Sequence, residues 1–149
     1  MKWKFGKEYD ICPQTYIFPE DYKKFHYDRD EEKKNVLYII KPSASSCGRG
    51  IKVISKNTHI GKKQGCVISK YVHKPLLING FKFDIRLYVL VTSYDPLKIY
   101  LYQDGLVWFA TEKYTTSSSS LKKRFIHLTN YSVNKKNMEK YVINEGEWE

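Results

Sequence analysis

The stretch Lys82-Phe83-Asp84-Ile85-Arg86-Leu87-Tyr88-Val89-Leu90-Val91 constrains the fold more than any other in this chain of 149 residues. Its odd positions from 85 to 91 are Ile, Leu, Val and Val, and its even positions open with Lys82, Asp84 and Arg86. Alternation of this kind predicts a β-strand over 83–92 with the odd face in a core. The other face then carries three charges in a row, about 6–7 Å apart. Two arrangements would satisfy them: a set of groups around a polyanionic ligand, or an interior ion-pair ladder. Burying three charges is costly unless each is paired, which favours the ligand.

The rest of the chain reads as short strands between turns. Pro13 and Pro19 bracket an extended piece, and residues 20–34 read as a charged surface helix. Residues 36–40 are an apolar run the size of a buried strand. Lys41-Pro42 then leads into Ser43-Ala44-Ser45-Ser46-Cys47-Gly48-Arg49-Gly50, and 51–54 resumes strand character. That order predicts a hairpin with a long tip of small residues. A turn is expected at 61–65, followed by a strand at 66–72 that Pro75 ends. Beyond the strand at 83–92, Tyr94-Asp95-Pro96 reads as a turn and 98–102 as a returning strand. Asp104-Gly105 is a strong hairpin signal, which makes 106–110 a separate strand. Residues 115–120 form a Ser/Thr-rich loop, expected to be mobile. Residues 125–133 are mixed in character, and no capping signal precedes Glu149, which suggests that something is missing there.

Charge bounds the partners. Lys and Arg number 26 against 16 Asp and Glu, a net charge of +10. Such a chain suits an acidic partner: nucleic acid, an anionic membrane, nucleotide phosphates or an acidic polypeptide. The lysines are dispersed, which also reads as an ordinary soluble surface. No recognised nucleic-acid motif is present. No apolar run approaches the roughly 20 residues of a membrane helix. Met1-Lys2-Trp3-Lys4-Phe5 lacks the apolar core of a signal peptide, so a cytosolic chain is expected. Cys12, Cys47 and Cys66 are an odd set without C-x-x-C spacing, which argues against a disulfide framework and a zinc site.

Three segments carry candidate chemistry. The loop at 43–50 could close its backbone N–H groups over phosphates, since glycine allows close approach. It does not match the P-loop pattern, and taken alone it reads more readily as a plain flexible turn. Lys41, leaving an apolar strand into that loop, is placed to meet a phosphate or to snorkel at the strand end. His127-Leu128-Thr129-Asn130-Tyr131-Ser132 is a dense run of short polar side chains that suits a nucleotide or amino-acid ligand, or a turn.

In this order, several words of the sequence resemble the tubulin tyrosine ligase-like family, and within it the polyglutamylase branch. They are Lys41-Pro42 with Gly48-Arg49-Gly50, Ser69-Lys70-Tyr71-Val72, Pro75-Leu76-Leu77-Ile78 with Phe81-Lys82-Phe83-Asp84-Ile85-Arg86-Leu87-Tyr88, Val91-Thr92-Ser93-Tyr94-Asp95-Pro96, Phe109-Ala110-Thr111, and His127-Leu128-Thr129-Asn130-Tyr131-Ser132-Val133-Asn134-Lys135. The resemblance runs from Pro13 to Asn137. It implies an α+β, ATP-grasp-like fold of mostly antiparallel sheet, in which two lobes hold ATP. Residues 1–149 would be an incomplete catalytic domain whose C-terminal metal-binding part is absent. It further implies ATP-dependent ligation of glutamate to carboxylates of tubulin C-terminal tails through an acyl-phosphate, within a longer chain. The implied cofactors are ATP and magnesium. The implied partners are the acidic tails of tubulin and microtubules, with free glutamate and without nucleic acid or membrane. The implied location is the cytoplasm and its microtubules, the cilium, flagellum or basal body among them.

The resemblance also assigns residues. Lys41, Cys47, Gly48, Ser69, Lys70, Tyr71, Val72, Lys82, Phe83, Asp84, Thr129 and Asn130 would bind ATP. Within that set Lys41 and Lys82 would meet the phosphates, and 69–72 would offer backbone groups to the adenine edge. Lys82 and Arg86 would be catalytic. Tyr131 and Ser132 would face the incoming glutamate. Trp108 stands where the family has an arginine that helps bind glutamate, and Cys47 where its loop often has another arginine. An indole offers one N–H and no charge, so it cannot act as a bidentate carboxylate clamp. The family's magnesium carboxylates lie in a Glu-x-Asn strand and a preceding Asp, and nothing equivalent follows Asn137. No metal ligand is therefore assigned in this chain. The alternative reading is a non-catalytic nucleotide- or tubulin-binding relic of such a ligase.

Overall fold

The computed structural model describes residues 2–62 and 65–140. The turn expected at 61–65 and the end of the chain at Glu149 fall partly or wholly outside them. The elements run α1 (Lys2–Phe5), a 3-10 turn (Gly6–Tyr9), β1 (Thr15–Phe18), α2 (Tyr22–Glu31), β2 (Leu37–Pro42), β3 (Lys52–Ser55), β4 (Cys66–Lys70), β5 (Leu77–Ile78), β6 (Phe81–Tyr94), β7 (Leu97–Phe109), α3 (Arg124–His127) and α4 (Tyr131–Asn134). They divide into two compact units, Met1–Pro75 with Thr116–Arg124, and Leu76–Thr115 with Phe125–Glu149.

The first unit is an antiparallel sheet in the order β1-β4-β2-β3, with α2 against it. Period-two alternation explains its core. In β1, Tyr16 and Phe18 turn inward while Thr15 and Ile17 stay exposed. In β4, Cys66 and Ile68 do the same. The helix contributes one fully buried side chain, Phe25. Its ring meets Tyr16, Phe18 and Tyr38 edge-on, at centroid distances of 5.1, 5.5 and 5.3 Å. Edge-to-face contact aligns the positive rim of one ring with the negative face of the next. Tyr16 keeps its hydroxyl satisfied by donating to Asp28 Oδ2 at 2.9 Å. The hairpin of β2 and β3 and the charged helix are as the sequence predicts.

The second unit is the antiparallel set β5-β6-β7 with α3 and α4. Two expectations need correction here. Asp104-Gly105 makes no hairpin: β7 runs straight through it, and Gly105 lies opposite Leu87 beside an irregularity in register. A Cβ on residue 105 would sit 2.6 Å from the Arg86 carbonyl oxygen. The glycine therefore serves close strand approach at a bulge rather than a reversal. The chain reverses at Asp95-Pro96, as expected. The second correction concerns the odd face of β6. Ile85, Leu87, Val89 and Val91 are exposed, Val89 by 57%, and so are Tyr88 and Leu90 behind them. A two-stranded ribbon has no second layer over it among the described residues, so alternation marks the strand without burying a face.

Burial in the second unit gathers instead at Ala110, Ile126, Leu128 and Val133, with His127, Thr129 and Asn134 among them. No helix among the described residues is long and apolar enough to cross a membrane.

Candidate functional site

In the first unit, Lys41 is exposed near the end of β2, opposite Val67. The loop after it is held by its own serines. The Ser43 amide and hydroxyl both donate to the Gly65 carbonyl at 2.6 Å. Ser45 Oγ donates to the Arg49 carbonyl at 3.1 Å. Cys47, Gly48 and Gly50 have φ of 59°, 73° and 69°. Left-handed backbone suits glycine and is uncommon for a residue with a side chain such as Cys47. Gly48 is buried, and its carbonyl accepts from Arg124 Nη2 at 2.7 Å. This is a folded turn with a fixed path, not a slack linker.

Residues 69–72 leave β4. The Lys70 and Tyr71 amides donate to the carbonyls of Gln14 and Leu37, at 2.9 and 2.8 Å. Val72 is exposed, and its amide donates to no group among the described residues. Side chains here face structural partners. Ser69 Oγ shares a hydrogen bond with Thr15 Oγ1, Tyr71 is buried, and Lys70 Nζ pairs with Glu32 at 2.5 Å. That hydrogen bond, followed by the charge of Lys70, holds the Glu32 carboxyl below its ordinary value. Burial, reinforced for Tyr16 by the hydrogen bond to Asp28, pushes the Tyr16 and Tyr38 phenols up.

In the second unit, strand pairing places Asp84 opposite Trp108 and Arg86 opposite Leu106. Lys82, Asp84, Arg86, Leu106 and Trp108 therefore share one face, and Phe83 lies on the other, against Phe109. The interior ion-pair ladder is not formed, since Asp84 and Arg86 are both exposed. Instead two of the three charges meet the segment at 127–129. Lys82 Nζ donates to the His127 carbonyl at 2.9 Å, and Thr129 Oγ1 donates to Asp84 Oδ2. The third charge, Arg86, lies over the Trp108 ring, 4.8 Å from its centroid. Asn130 starts α4 and is exposed, as is Tyr131, whose ring carries Lys135 Nζ at 5.1 Å. Ser132 lies within α4.

Asn134 is the residue that sequence reasoning passed over. It is 0% exposed. Its Oδ1 accepts from the Thr111 amide at 3.0 Å and hydroxyl at 2.9 Å. Its Nδ2 donates to the Leu128 and Asn130 carbonyls at 2.8 and 3.1 Å. One amide thus fixes the polar run to the end of β7. The signal was an asparagine amid short polar residues, where a surface turn is the ordinary explanation.

Chemically, these residues offer cations, one carboxylate and short hydroxyl and amide groups, which suit a phosphate-bearing, polar ligand. Magnesium does not fit what is described. Asp84 is the only carboxylate among Lys82, Asp84 and Arg86, one of its oxygens is taken by Thr129, and no three His, Cys, Asp or Glu groups come together among the described residues.

The sequence matches the tubulin-tyrosine ligase family over residues 1–149. It is 49% identical to the mouse tubulin monoglutamylase TTLL4 over 148 residues, which is 99% of this chain and 12% of that protein. It is 49% identical to the mouse tubulin polyglutamylase TTLL5 over 132 residues, 87% of this chain and 10% of that protein. It is 43% identical to the mouse tubulin polyglutamylase TTLL7 over 144 residues, 94% of this chain and 16% of that protein. The chain thus spans a small part of the length of each of these relatives.

Proposed function

Because the chain belongs to the tubulin-tyrosine ligase family, we propose that it supplies nucleotide- and substrate-binding residues to an ATP-dependent ligase that adds glutamate to the acidic tails of tubulin. The observation that carries this reading is the joining of Lys82 and Asp84 to the 127–129 segment. It brings a cation, a carboxylate and a hydroxyl onto one polar site.

In this reading ATP phosphorylates a tail carboxylate, and the amine of free glutamate attacks the acyl phosphate and releases phosphate. Phosphoryl transfer asks the protein mainly for positioning and charge stabilisation. Lys82, fixed by the His127 carbonyl, holds a positive charge where a phosphate can meet it. Lys41 and the turn at 43–50 offer a second cation and left-handed glycines that let a phosphate oxygen approach the backbone. The unclaimed amide of Val72 is a donor for the edge of a base. Thr129 and Asn130 serve the nucleotide, and Tyr131 and Ser132 the glutamate. The net charge of +10 draws an acidic tail. The place of action is cytoplasmic microtubules.

A second reading, a nucleotide- or tubulin-binding relic, draws support from Trp108, an uncharged side chain where a carboxylate-binding arginine is expected. Incorporation of labelled glutamate into tubulin separates the two. The ligase reading expects incorporation by the complete protein and a loss of about a hundredfold in Lys82→Ala. Tubulin binding without incorporation would favour the relic.

A further inference from the structure

Lys82 and Asp84 are held by the segment at 127–129, whereas Arg86 is held differently. Arg86 is exposed, and its side chain forms no hydrogen bond or ion pair among the described residues. Its one partner is the face of Trp108, which is half-buried and lies diagonally across the strand pair, with the guanidinium carbon 4.8 Å from the ring centroid. An indole attracts a cation to its face and leaves the N–H edge of a stacked guanidinium open. A guanidinium in this state is restrained in orientation while its donors remain available. That is the arrangement a planar oxyanion needs for a two-pronged hydrogen bond.

We propose that Trp108 is a positioning residue that holds Arg86 as an open receptor for a carboxylate of an acidic peptide. The tryptophan supplies no charge of its own and acts through the arginine. A Glu-rich polypeptide is favoured over a free small anion because the site is open, lies on an exposed ribbon and belongs to a chain of net charge +10. The proposal extends the ligase reading in its choice of an acidic peptide, but the pairing of the two side chains stands without it.

The test is binding of a Glu-rich peptide to the whole chain by calorimetry, with ATP binding measured in parallel. Trp108→Leu should weaken the peptide by roughly two- to fivefold. Trp108→Phe, which keeps an aromatic face, should restore most of it. Arg86→Lys should lose at least as much as Trp108→Leu, because an ammonium has no fork. ATP affinity should stay the same in the two Trp108 variants. Peptide affinity unchanged in Trp108→Leu, or equally reduced in Trp108→Phe, would overturn the proposal. Inorganic phosphate competing as well as the peptide, residue for residue, would also overturn it. Should Trp108→Leu not fold, Arg86→Lys and Trp108→Phe decide. Absence of ATP binding in the unsubstituted chain would count against the ligase reading alone, leaving the peptide result to judge the pair.

Discussion

The two units are built on opposite economies of burial. The first closes aromatic side chains from β1, β2 and α2 around Phe25. The second spreads apolar side chains along β6 and β7 where water reaches both faces, and keeps its order through hydrogen bonds at one end. The comparison teaches that a strand pattern and a buried face are separate facts. β1 alternates in burial, with α2 packed against it, whereas β6 alternates in residue type while its side chains stay largely exposed.

The largest expected effect tests the aromatic core. Phe25→Ala removes a ring that meets four others and should cost about 3–5 kcal/mol in urea unfolding followed by first-unit signals. A loss near zero would mean that the core does not hold the unit. In the second unit, Asn134→Ala leaves the Thr111 amide and the Leu128 carbonyl without their partner. A cost of roughly 1–3 kcal/mol is expected, with faster hydrogen exchange at Thr111. Unchanged exchange there would remove Asn134 from its stapling role.

A smaller effect depends on pH. Glu32 has its carboxyl lowered from 4.5 by Lys70. Its contribution to stability is therefore present above pH 4.5 and lost as pH falls through the lower folded value. Glu32→Gln should remove that contribution, lowering stability modestly at neutral pH and flattening the acid limb; an acid limb as steep as before would contradict the pairing. The burial-raised phenols of Tyr16 and Tyr38 act at the other end, with stability present below their ordinary value of 10.0 and lost as pH rises past it. The smallest effect is on the ribbon. Leu90→Lys with Leu101→Lys, one on each face, should change stability by no more than about 0.5 kcal/mol while reducing binding of a hydrophobic dye. A large loss of stability would show that the ribbon is packed in solution.

Much of the first unit was legible because its elements are short and local. Pro13 and Pro19 frame β1, and the apolar run before Lys41 is β2. The ribbon misled in two ways. Asp104-Gly105 has the composition of a tight turn, but the glycine answers a close approach to the Arg86 carbonyl. A further two-residue hairpin, between β5 and β6, forms at Asn79-Gly80, with φ of 52° and 83°, the positive pair that such a turn favours. Of the candidate site, the charges Lys82, Asp84 and Arg86 could be read from alternation, because strand spacing puts them on one face. Their partners at 127–129 could not, since they come from a distant segment. The stacking of Arg86 on Trp108 depends on register across β6 and β7, which the irregular pairing near Gly105 hides from the sequence.

The most direct test of the nucleotide-binding claim is calorimetric titration of the chain with ATP, alongside Lys41→Ala and Lys82→Ala. Saturable binding by the unsubstituted chain, weakened in each variant with folding intact, is the predicted result. Affinity that neither substitution changes would contradict the assignment of these lysines to the nucleotide.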